Sequence, residues 1–251
     1  MLPEERRNEI VSFVDKHKTA TVQELSDALD ASAATIRRDL LVLQHENRIV
    51  KVFGGATSVN FRDVNAKEAS VAEKAGQNTN EKNAIAKYAA SLIEDDDFVY
   101  IDSGTTTLHL IDYLNNRNAK YVTNGIVHAN KLLDRGFSTM IIGGRIKPTT
   151  EAVIGPDYIE ALSRFHFTKS FMGTNGISVS AGFTTPDIDE ALIKTEAIRH
   201  SHLSYVLADH SKFGVVTSVT FSDLCDCCII TDTAPDTRYT DQTIIKSVSA
   251  Q

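Results

Sequence analysis

The segment from Thr21 to Ala56 carries the local signals of two short helices joined by a tight turn. Thr21 and Glu24 have the spacing of a capping box, in which each side chain bonds the backbone N–H of the other residue and so starts a helix. The turn at Asp30 is followed by Ser32, a strong N-cap residue, and an apolar stripe runs along the next helix. This pattern predicts a helix-turn-helix, whose second helix reads bases in the major groove of DNA.

Polar residues at the start of the second helix lie off its apolar stripe and are candidates for contact with bases. These residues are Ser32, Thr35, Arg37 and Arg38. Beyond the helix, Asn47 tolerates the left-handed backbone that ends helices. Residues 48–53 alternate charged and apolar side chains before two glycines, as a half-buried strand does. A two-stranded wing would hold Arg48 and Lys51 over the phosphate backbone. For any one of these cations, the alternative is an ordinary solvated charge.

A set of spaced residues in and around the helix-turn-helix matches one known pattern without gaps. These residues are Arg6, Ile10, Val14, the run 32–40, and Gly54, Gly55 and Ala56. This pattern resembles the amino-terminal signature of DeoR-type bacterial repressors. The sequence departs from the family at Asn47, where relatives often have Gly, and at Phe53, where many have His. The resemblance implies a winged helix-turn-helix domain over residues 1–57 that binds double-stranded operator DNA.

Positive charge is local in this chain. The 251 residues carry a formal net charge of −7, and residues 1–57 hold eight Lys/Arg against nine Asp/Glu. Because phosphate contacts drive sequence-independent binding to DNA, we expect modest non-specific affinity and a specific site that is reached by a homo-oligomer.

Several features favour a cytoplasmic protein without cofactor or metal. The start, MLPEERRNEI, lacks the apolar region of a signal peptide. No run approaches the roughly 18 apolar residues that a membrane span needs. Cys225, Cys227 and Cys228 are the only cysteines. Their spacing lacks a second ligand pair, which favours a core strand over a zinc site.

From residue 81 onward, helical stretches alternate with short apolar runs, which is typical of a parallel sheet buried on both faces. The polar, alanine-rich residues 58–80 before it are predicted to form a linker. The predicted strands are 98–101, 120–122, 140–142, 170–172, 204–207 and 228–230, and the predicted helices are 83–93, 106–114, 126–135, 157–165 and 189–199. The sequence thus predicts a second, α/β domain over residues 81–251 with a mainly parallel sheet.

Glycine and small hydroxyl residues follow at least five of these strands, at the edge where open parallel sheets bind ligands. The sharpest segment is 103–107, which joins a strand to a helix and offers backbone amides and hydroxyls to one anion, as a phosphate needs. No Gly-Lys-Ser/Thr follows, so a nucleoside triphosphate is not expected. The alternative is that residues 105–107 only start the helix. The candidate ligand-binding residues at the strand ends are Asp102, Ser103, Gly104, Thr105, Thr106, Thr107, Asn124, Gly125, Gly144, Gly173, Asn175, Asp209 and Lys212.

Three more candidates surround the start of a later helix. Glu190 and Lys194 have the i,i+4 spacing of a favourable helical pair, and Asp187 precedes them. We predict that these side chains face the ligand and meet sugar hydroxyls and phosphate. A surface ion pair is the alternative.

The strand-end motifs, including D-S-G-T-T-T, T-N-G and D-x-S-K, resemble the effector domain of DeoR-type repressors. That domain is similar in fold to ribose-phosphate isomerases and glucosamine-phosphate deaminases. The resemblance implies a repressor of a sugar-utilisation operon that a phosphorylated sugar releases from DNA. Within the family the chain is most similar to repressors of fructose uptake and phosphorylation genes, which makes fructose 1-phosphate the first candidate.

Two other functions fit the same residues. One is an isomerase or deaminase with an appended DNA-binding module, because the acidic side chains and His210 could supply acid–base groups. The other is an activator or structural DNA binder whose pocket is vestigial.

Overall fold

A computed structural model describes residues 2–46, 48–59, 73–74, 76–233 and 235–249. The chain divides into two compact units, Met1–Val64 and Asn65–Gln251. The domain bounds 1–57, 58–80 and 81–251 stay predictions. The predicted helix end at Asn47 lies outside the described residues.

The first unit is a three-helix cluster with a small antiparallel sheet in the strand order β1-β3-β2. Its elements are α1 (Pro3–His17), β1 (Thr19–Thr21), α2 (Val22–Leu29), α3 (Ala33–His45), β2 (Ile49–Val52) and β3 (Gly55–Ser58). The capping box is confirmed, since the Thr21 hydroxyl accepts from the Glu24 amide at 3.1 Å and the Glu24 carboxylate accepts from the Thr21 amide at 2.7 Å. Ser32 caps α3 by accepting from the amide of Thr35.

The predicted winged helix-turn-helix is confirmed. Fully buried side chains from all three helices form its core, namely Ile10, Val14, Leu25, Ile36, Leu40 and Leu43. The hairpin of β2 and β3 turns at Gly54, whose φ of +80° suits glycine. Strand β1 was not predicted. It pairs with β3 so closely that a Cβ on Gly55 would lie 2.9 Å from Cα of Thr21, which explains the second glycine.

The second unit is built around a seven-stranded parallel sheet. Its helices are α4 (Thr79–Ser91), α5 (Thr105–Leu110), α6 (Ile126–Asp134), α7 (Pro156–Leu162), α8 (Ile188–Arg199) and α9 (Thr237–Thr240). Its strands are β4 (Phe98–Ile101), β5 (Lys120–Thr123), β6 (Ser138–Ile141), β7 (Arg145–Lys147), β8 (Ala152–Ile154), β9 (Phe167–Gly173), β10 (Gly176–Ser178), β11 (Gly182–Thr185), β12 (Ser201–Leu207), β13 (Val219–Ser222), β14 (Cys228–Thr231) and β15 (Ile245–Ser247). Short 3-10 helices cover Ile111–Tyr113, His210–Lys212 and Leu224–Asp226.

The strand order β15-β14-β12-β9-β4-β5-β6 contains one reversal of direction. From β4 the chain moves outward to β5 and β6, and it then returns to place β9 on the other side of β4. Connections after β4 and β9 therefore leave in opposite directions and open a crevice at the carboxyl ends of these strands. Ligands of open α/β sheets bind at such a switch point.

Both faces of the large sheet are covered, as the continuous apolar strands predicted. One face buries Ile85 of α4, Leu110 of α5 and Leu132 of α6. The other face buries Tyr158 of α7 and Ile193 of α8. A small antiparallel sheet, β10-β11-β13, packs into this second cluster through side chains such as Ile177, Phe183 and Phe221.

In the second unit, three features of the structure are absent from the sequence-based assignment. The hairpin of β7 and β8, the small sheet and the edge strand β15 were not predicted. Helix α4 begins at Thr79, four residues before the predicted helix 83–93. Across the described residues, every helix is too short or too polar to span a membrane.

Candidate functional site

A pocket lies in the second unit at the carboxyl ends of β4, β9 and β12. Its lining residues are Lys74, Gln77, Asn78, Lys82, Asp102, Ser103, Gly104, Thr105, Thr106, Thr150, Gly173, Thr174, Asn175, Glu190, Lys194, Asp209 and Lys212. The loops after β4 and β9, the two strands at the switch point, contribute the centre of this lining. The pocket therefore lies at the switch point of the sheet, where ligands of open α/β sheets bind.

The floor of the pocket is a buried ion pair. Lys194, on α8, donates to the carboxylate of Asp102 at the end of β4, and to the carbonyl of Gly173 at 3.1 Å. The same Asp102 oxygen accepts from the Gly173 amide at 2.9 Å. Each of the two charged side chains is nearly inaccessible to solvent. Because the charges compensate each other, this pair fixes the two strand ends and adds no net charge to the pocket.

The loop from Asp102 to Thr107 presents backbone donors to the pocket. The Ser103 amide is occupied, since it donates to the side-chain oxygen of Asn124 at 3.0 Å. The next amides, of Gly104, Thr105 and Thr106, have no acceptor within the described part of the chain. These amides belong to the N-cap and the first turn of α5, where backbone N–H groups lack intrahelical acceptors and favour an anion.

Another part of the pocket wall carries three lysines, namely Lys74, Lys82 and Lys212. Lys82, on α4, is 3% exposed, and its ammonium donates to the backbone carbonyl of Lys74. Burial lowers the pKa of Lys82, with Asp209 opposing the shift and Lys212 and Lys74 adding to it. The Asp209 carboxylate, which favours the charged form of Lys82, is itself bound by Asn78 and Ser211. This wall carries an excess of positive charge and favours an anionic ligand.

The acidic side of the pocket is tied to the β7–β8 hairpin. The carboxylate of Glu190 accepts from the Thr150 hydroxyl at 2.7 Å and from the Lys147 ammonium at 3.2 Å. Asp187 caps α8 by accepting from the Glu190 amide and pairs with Lys147 at 2.9 Å. Burial raises the pKa of Asp187, but the Glu190 amide and Lys147 outweigh it and hold the pKa below its usual value. Glu190 and Thr150 offer oxygen atoms to ligand hydroxyls.

Most of the residues predicted for ligand binding meet in this pocket. Those in the lining are Asp102, Ser103, Gly104, Thr105, Thr106, Gly173, Asn175, Glu190, Lys194, Asp209 and Lys212. Five others lie outside it: Thr107, Asn124, Gly125, Gly144 and Asp187. Thr107 and Asn124 are buried beneath the loop, and Gly144 passes so close to β8 that a Cβ would lie 2.7 Å from the Ile154 carbonyl oxygen.

Sequence reasoning missed six lining residues, which are Lys74, Gln77, Asn78, Lys82, Thr150 and Thr174. The first four come from the end of the predicted linker and the start of α4, far in sequence from the strand ends. Their signal was weak, because lysines and amides in a polar segment are also typical of a linker. Thr150 belongs to a hairpin that was not predicted.

No cluster of three or more metal-ligating side chains occurs among the described residues. Cys227 is buried and Cys228 lies in β14, while Cys225 is exposed. Burial raises the pKa of the Cys227 thiol to about 12.

In the first unit, the residues predicted to contact DNA lie on or beside α3 and the β2–β3 hairpin. Arg37, Arg38 and Lys51 are exposed and make no ion pair with any described residue. The hydroxyls of Ser32 and Thr35 lie 2.9 Å apart and bond each other. Arg48 is engaged differently, because its guanidinium donates to Asn8 at 2.7 Å and lies 3.5 Å from the Glu46 carboxylate.

Both units match known families. Residues 6–62 match the family described as a DeoR-like helix-turn-helix domain, and residues 77–233 match the DeoR C-terminal sensor domain. Together the two matches span most of the chain.

Bacterial regulators are similar over nearly the whole length. The chain is 41% identical to a Bacillus subtilis (strain 168) protein named "Uncharacterized HTH-type transcriptional regulator FruR", with 99% of each chain covered. It is 32% identical to the HTH-type transcriptional repressor GlcR of the same strain, over 96% of this chain and 93% of that protein. It is 34% identical to the lactose phosphotransferase system repressor of Staphylococcus aureus (strain NCTC 8325 / PS 47), over 88% of each chain.

Similarity to solved structures is lower. A ribose 5-phosphate isomerase A from Methanocaldococcus jannaschii aligns over 55% of each chain with a TM-score of 0.41 and 14% identity. The eIF2B beta subunit from Chaetomium thermophilum aligns over 56% of this chain and 41% of that one, with the same TM-score and identity. A likeness of this size carries no conclusion about the chain.

Proposed function

We propose, from the premise that this chain belongs to the DeoR family of helix-turn-helix transcriptional regulators, that it represses a sugar-utilisation operon and leaves its operator when a phosphorylated sugar binds. Its relatives are named as transcriptional regulators, and this chain is likewise a DNA-binding regulator and not an enzyme. In this proposal it acts in the cytoplasm as a homo-oligomer, with residues 1–57 on double-stranded DNA and residues 81–251 holding the effector.

One observation carries the effector proposal. The unpaired amides of Gly104, Thr105 and Thr106 and the ammonium groups of Lys82 and Lys212 line the same pocket. Backbone amides and excess positive charge in one concave site favour a phosphate group over a neutral sugar. We therefore assign the phosphate of the effector to the space between this loop and the two lysines.

The remainder of the pocket suits a polyhydroxylated ligand. Asn175, Thr150 and Glu190 present amide, hydroxyl and carboxylate groups that can exchange hydrogen bonds with sugar hydroxyls. Relatives are named for the lactose phosphotransferase system and as FruR, so sugars are the natural class to test. Fructose 1-phosphate is the first candidate.

On the DNA side, we assign base contacts to the exposed start of α3, where Arg37 and Arg38 project. An arginine that donates hydrogen bonds to both O6 and N7 of one guanine contributes about 1–3 kcal/mol of discrimination against other bases. Lys51 and Arg48 of the wing would contact phosphates. To contact a phosphate, Arg48 must first give up its interactions with Asn8 and Glu46. The loss of these interactions reduces the free energy that Arg48 contributes to DNA binding.

Release follows from linkage between the two sites. If the phosphosugar binds the DNA-free protein more tightly than the DNA-bound protein, it must weaken operator binding by the same factor. The proposal therefore requires only that the two ligands favour different states of the chain.

The test is a fluorescence-anisotropy titration of the full chain on DNA from its own upstream region, with scrambled DNA as a control. We expect a sequence-dependent complex that fructose 1-phosphate, or another sugar phosphate in a panel, dissociates, while the matching free sugar does not. Arg38→Ala should lose the preference for specific DNA. Lys212→Met should keep DNA binding and lose the response to sugar phosphate, and Lys120→Met, at an exposed position of β5, serves as the matched control.

Two results would contradict the proposal. The repressor assignment fails if wild type and Arg38→Ala bind specific and scrambled DNA alike. The effector assignment fails if specific DNA is bound but no sugar phosphate in the panel changes that binding or raises the melting temperature of the protein.

A further inference from the structure

His128 lies directly behind the amide loop and outside the pocket lining. It sits on α6, is 3% exposed, and belongs to none of the motifs that the sequence singled out. Its Nε2 atom lies 3.0 Å from the Gly104 carbonyl oxygen and 3.2 Å from the Thr107 hydroxyl oxygen. The ring therefore contacts the loop from the side opposite to the ligand.

The carbonyl contact fixes the protonation of the ring. A carbonyl oxygen only accepts hydrogen bonds, so Nε2 of His128 must carry the hydrogen and donate it. The Thr107 hydroxyl has one hydrogen of its own, which the carbonyls of Asp102 and Gly104 accept. The histidine and the threonine thus act together on the back of the loop.

This contact helps to orient a backbone group of the pocket lining. The carbonyl of Gly104 and the amide of Thr105 belong to one planar peptide and point in opposite directions. The Gly104 carbonyl accepts from the Leu108 amide at 3.0 Å, which is the first hydrogen bond of α5, from the Thr107 hydroxyl at 2.7 Å and from Nε2 of His128. Together these donors set the direction of the carbonyl and hence of the Thr105 amide, and His128 is the one among them that comes from another helix. The Asp102–Ser103 peptide is held on both sides, because the Thr107 hydroxyl donates to the Asp102 carbonyl and the Ser103 amide donates to the Asn124 side chain.

The surroundings of the ring are shaped to admit it. A Cβ on Gly125 would lie 2.5 Å from Nδ1 of His128 and 3.1 Å from Cβ of Ser103. Only glycine at position 125 leaves space for an imidazole between α6 and the loop. Gly125, a predicted ligand-binding residue, is explained by this packing.

We propose that His128 is a positioning residue for the effector, whose Nε2–H orients the Gly104–Thr105 peptide so that its amide binds the phosphate. The inference rests on the proposed function, because it concerns the same pocket. His128 does not touch the ligand, and its effect is transmitted through one peptide plane.

The electrostatic surroundings keep the ring neutral. Burial lowers the pKa of His128 to about 4, while Asp102 and the Gly104 carbonyl oppose the shift and Lys131 and Lys194 add to it. Near neutral pH the ring therefore acts as a hydrogen-bond donor and adds no charge to the loop.

The experiment compares two substitutions by calorimetric titration of the full chain with fructose 1-phosphate, and with inorganic phosphate as a second probe. Gln can place an amide donor near the position of Nε2, whereas Leu fills the space without a donor. We expect His128→Leu to weaken binding of both probes about tenfold, the effect of one lost hydrogen bond. His128→Gln should restore affinity to within about threefold of wild type.

His109→Leu is the matched control, since His109 lies on α5 and bonds Asn83 away from the loop. It should leave phosphate affinity unchanged. Nitrogen NMR of the wild-type ring should show hydrogen on Nε2 at pH 7, a readout that does not depend on the folding of any variant.

The outcomes separate this inference from the function on which it rests. If wild type binds neither probe, the proposed effector site fails. If wild type binds and both His128 variants bind as tightly as wild type, the positioning role fails and the effector site stands. The same conclusion follows if the wild-type ring carries its hydrogen on Nδ1. If His128→Leu does not fold, failure of His128→Gln to bind while its melting temperature matches wild type contradicts the role.

Discussion

Lys194 and Asp102 form a buried ion pair that joins α8 to the end of β4 beneath the candidate effector pocket. The lysine also bonds the Gly173 carbonyl, and the aspartate bonds the Gly173 amide. Lys194 therefore bonds the ends of both strands at the switch point, and Asp102 links the end of β4 to β9. The pair shapes the floor of the pocket, and the stability of this region depends on keeping both charges.

We expect Lys194→Met to lower the free energy of unfolding by about 3–5 kcal/mol, because it leaves the Asp102 carboxylate buried without its partner. The double variant Asp102→Asn with Lys194→Met should be less destabilised than the sum of the single variants, since no unpaired charge remains. Urea denaturation of the four proteins measures this coupling. Strict additivity would show that the ion pair does not form in solution.

The buried His128 predicts a loss of stability in mild acid. Its pKa is lowered to about 4 in the folded chain, so below its unfolded value near 6.5 the unfolded state binds a proton that the folded state does not. This contribution to stability is present above pH 6.5 and falls by about 1.4 kcal/mol per pH unit between pH 6.5 and 4. Urea midpoints of wild type and His128→Gln should converge over this range, and parallel curves would contradict the prediction.

Lys82 should matter to the ligand more than to the fold. Burial lowers its pKa, and its ammonium has only the Lys74 carbonyl as a hydrogen-bonded partner among the described residues. Lys82→Met removes a desolvated charge, so we expect unfolding free energy within about 1 kcal/mol of wild type and phosphosugar affinity at least about tenfold weaker. Thermal melts with and without fructose 1-phosphate measure both quantities. Unchanged ligand stabilisation would exclude Lys82 from the phosphate site.

Glu46 should weaken DNA binding in the wild-type protein. Its carboxylate lies 3.5 Å from Arg48 and 3.9 Å from Arg7. In a complex with DNA, this negative charge would repel the phosphates that Arg48 is proposed to contact. Glu46→Gln should therefore raise affinity for operator and scrambled DNA alike by a few-fold at low salt. By contrast, Lys51→Ala should reduce both affinities and lower the slope of log affinity against log salt by about 1. A Glu46→Gln variant with unchanged or weaker binding would contradict this role.

Local sequence signals predicted the elements well where several signals agreed. The capping residues Thr21 and Ser32 mark helix starts that the structure confirms, and the strand 98–101 agrees residue for residue with β4. The parallel sheet followed from apolar runs separated by helices. Strands β1 and β15 are three residues long and lack such a pattern, because their pairing depends on distant partners.

The pocket was only partly predictable for a related reason. Residues such as Asp102 and Asn175 follow buried strands, and a parallel sheet brings strand ends to one edge. Lys82 reaches the same place from a helix before the sheet, and only tertiary packing shows this. His128 could not be found from its spacing, since a histidine at helical spacing gives no sign of the loop that it contacts.

The peptide held between His128 and the pocket separates two requirements that a ligand places on a regulator. In the proposed site, backbone amides supply part of the contact with the phosphate beside Lys82 and Lys212, and a backbone amide is present whatever side chain a position carries. The groups proposed to bind the rest of the metabolite, such as Asn175 and Thr150, are side chains that single substitutions can exchange. Regulators with this arrangement can therefore change the sugar to which they respond by substituting these side chains, while the backbone contact with the phosphate is kept.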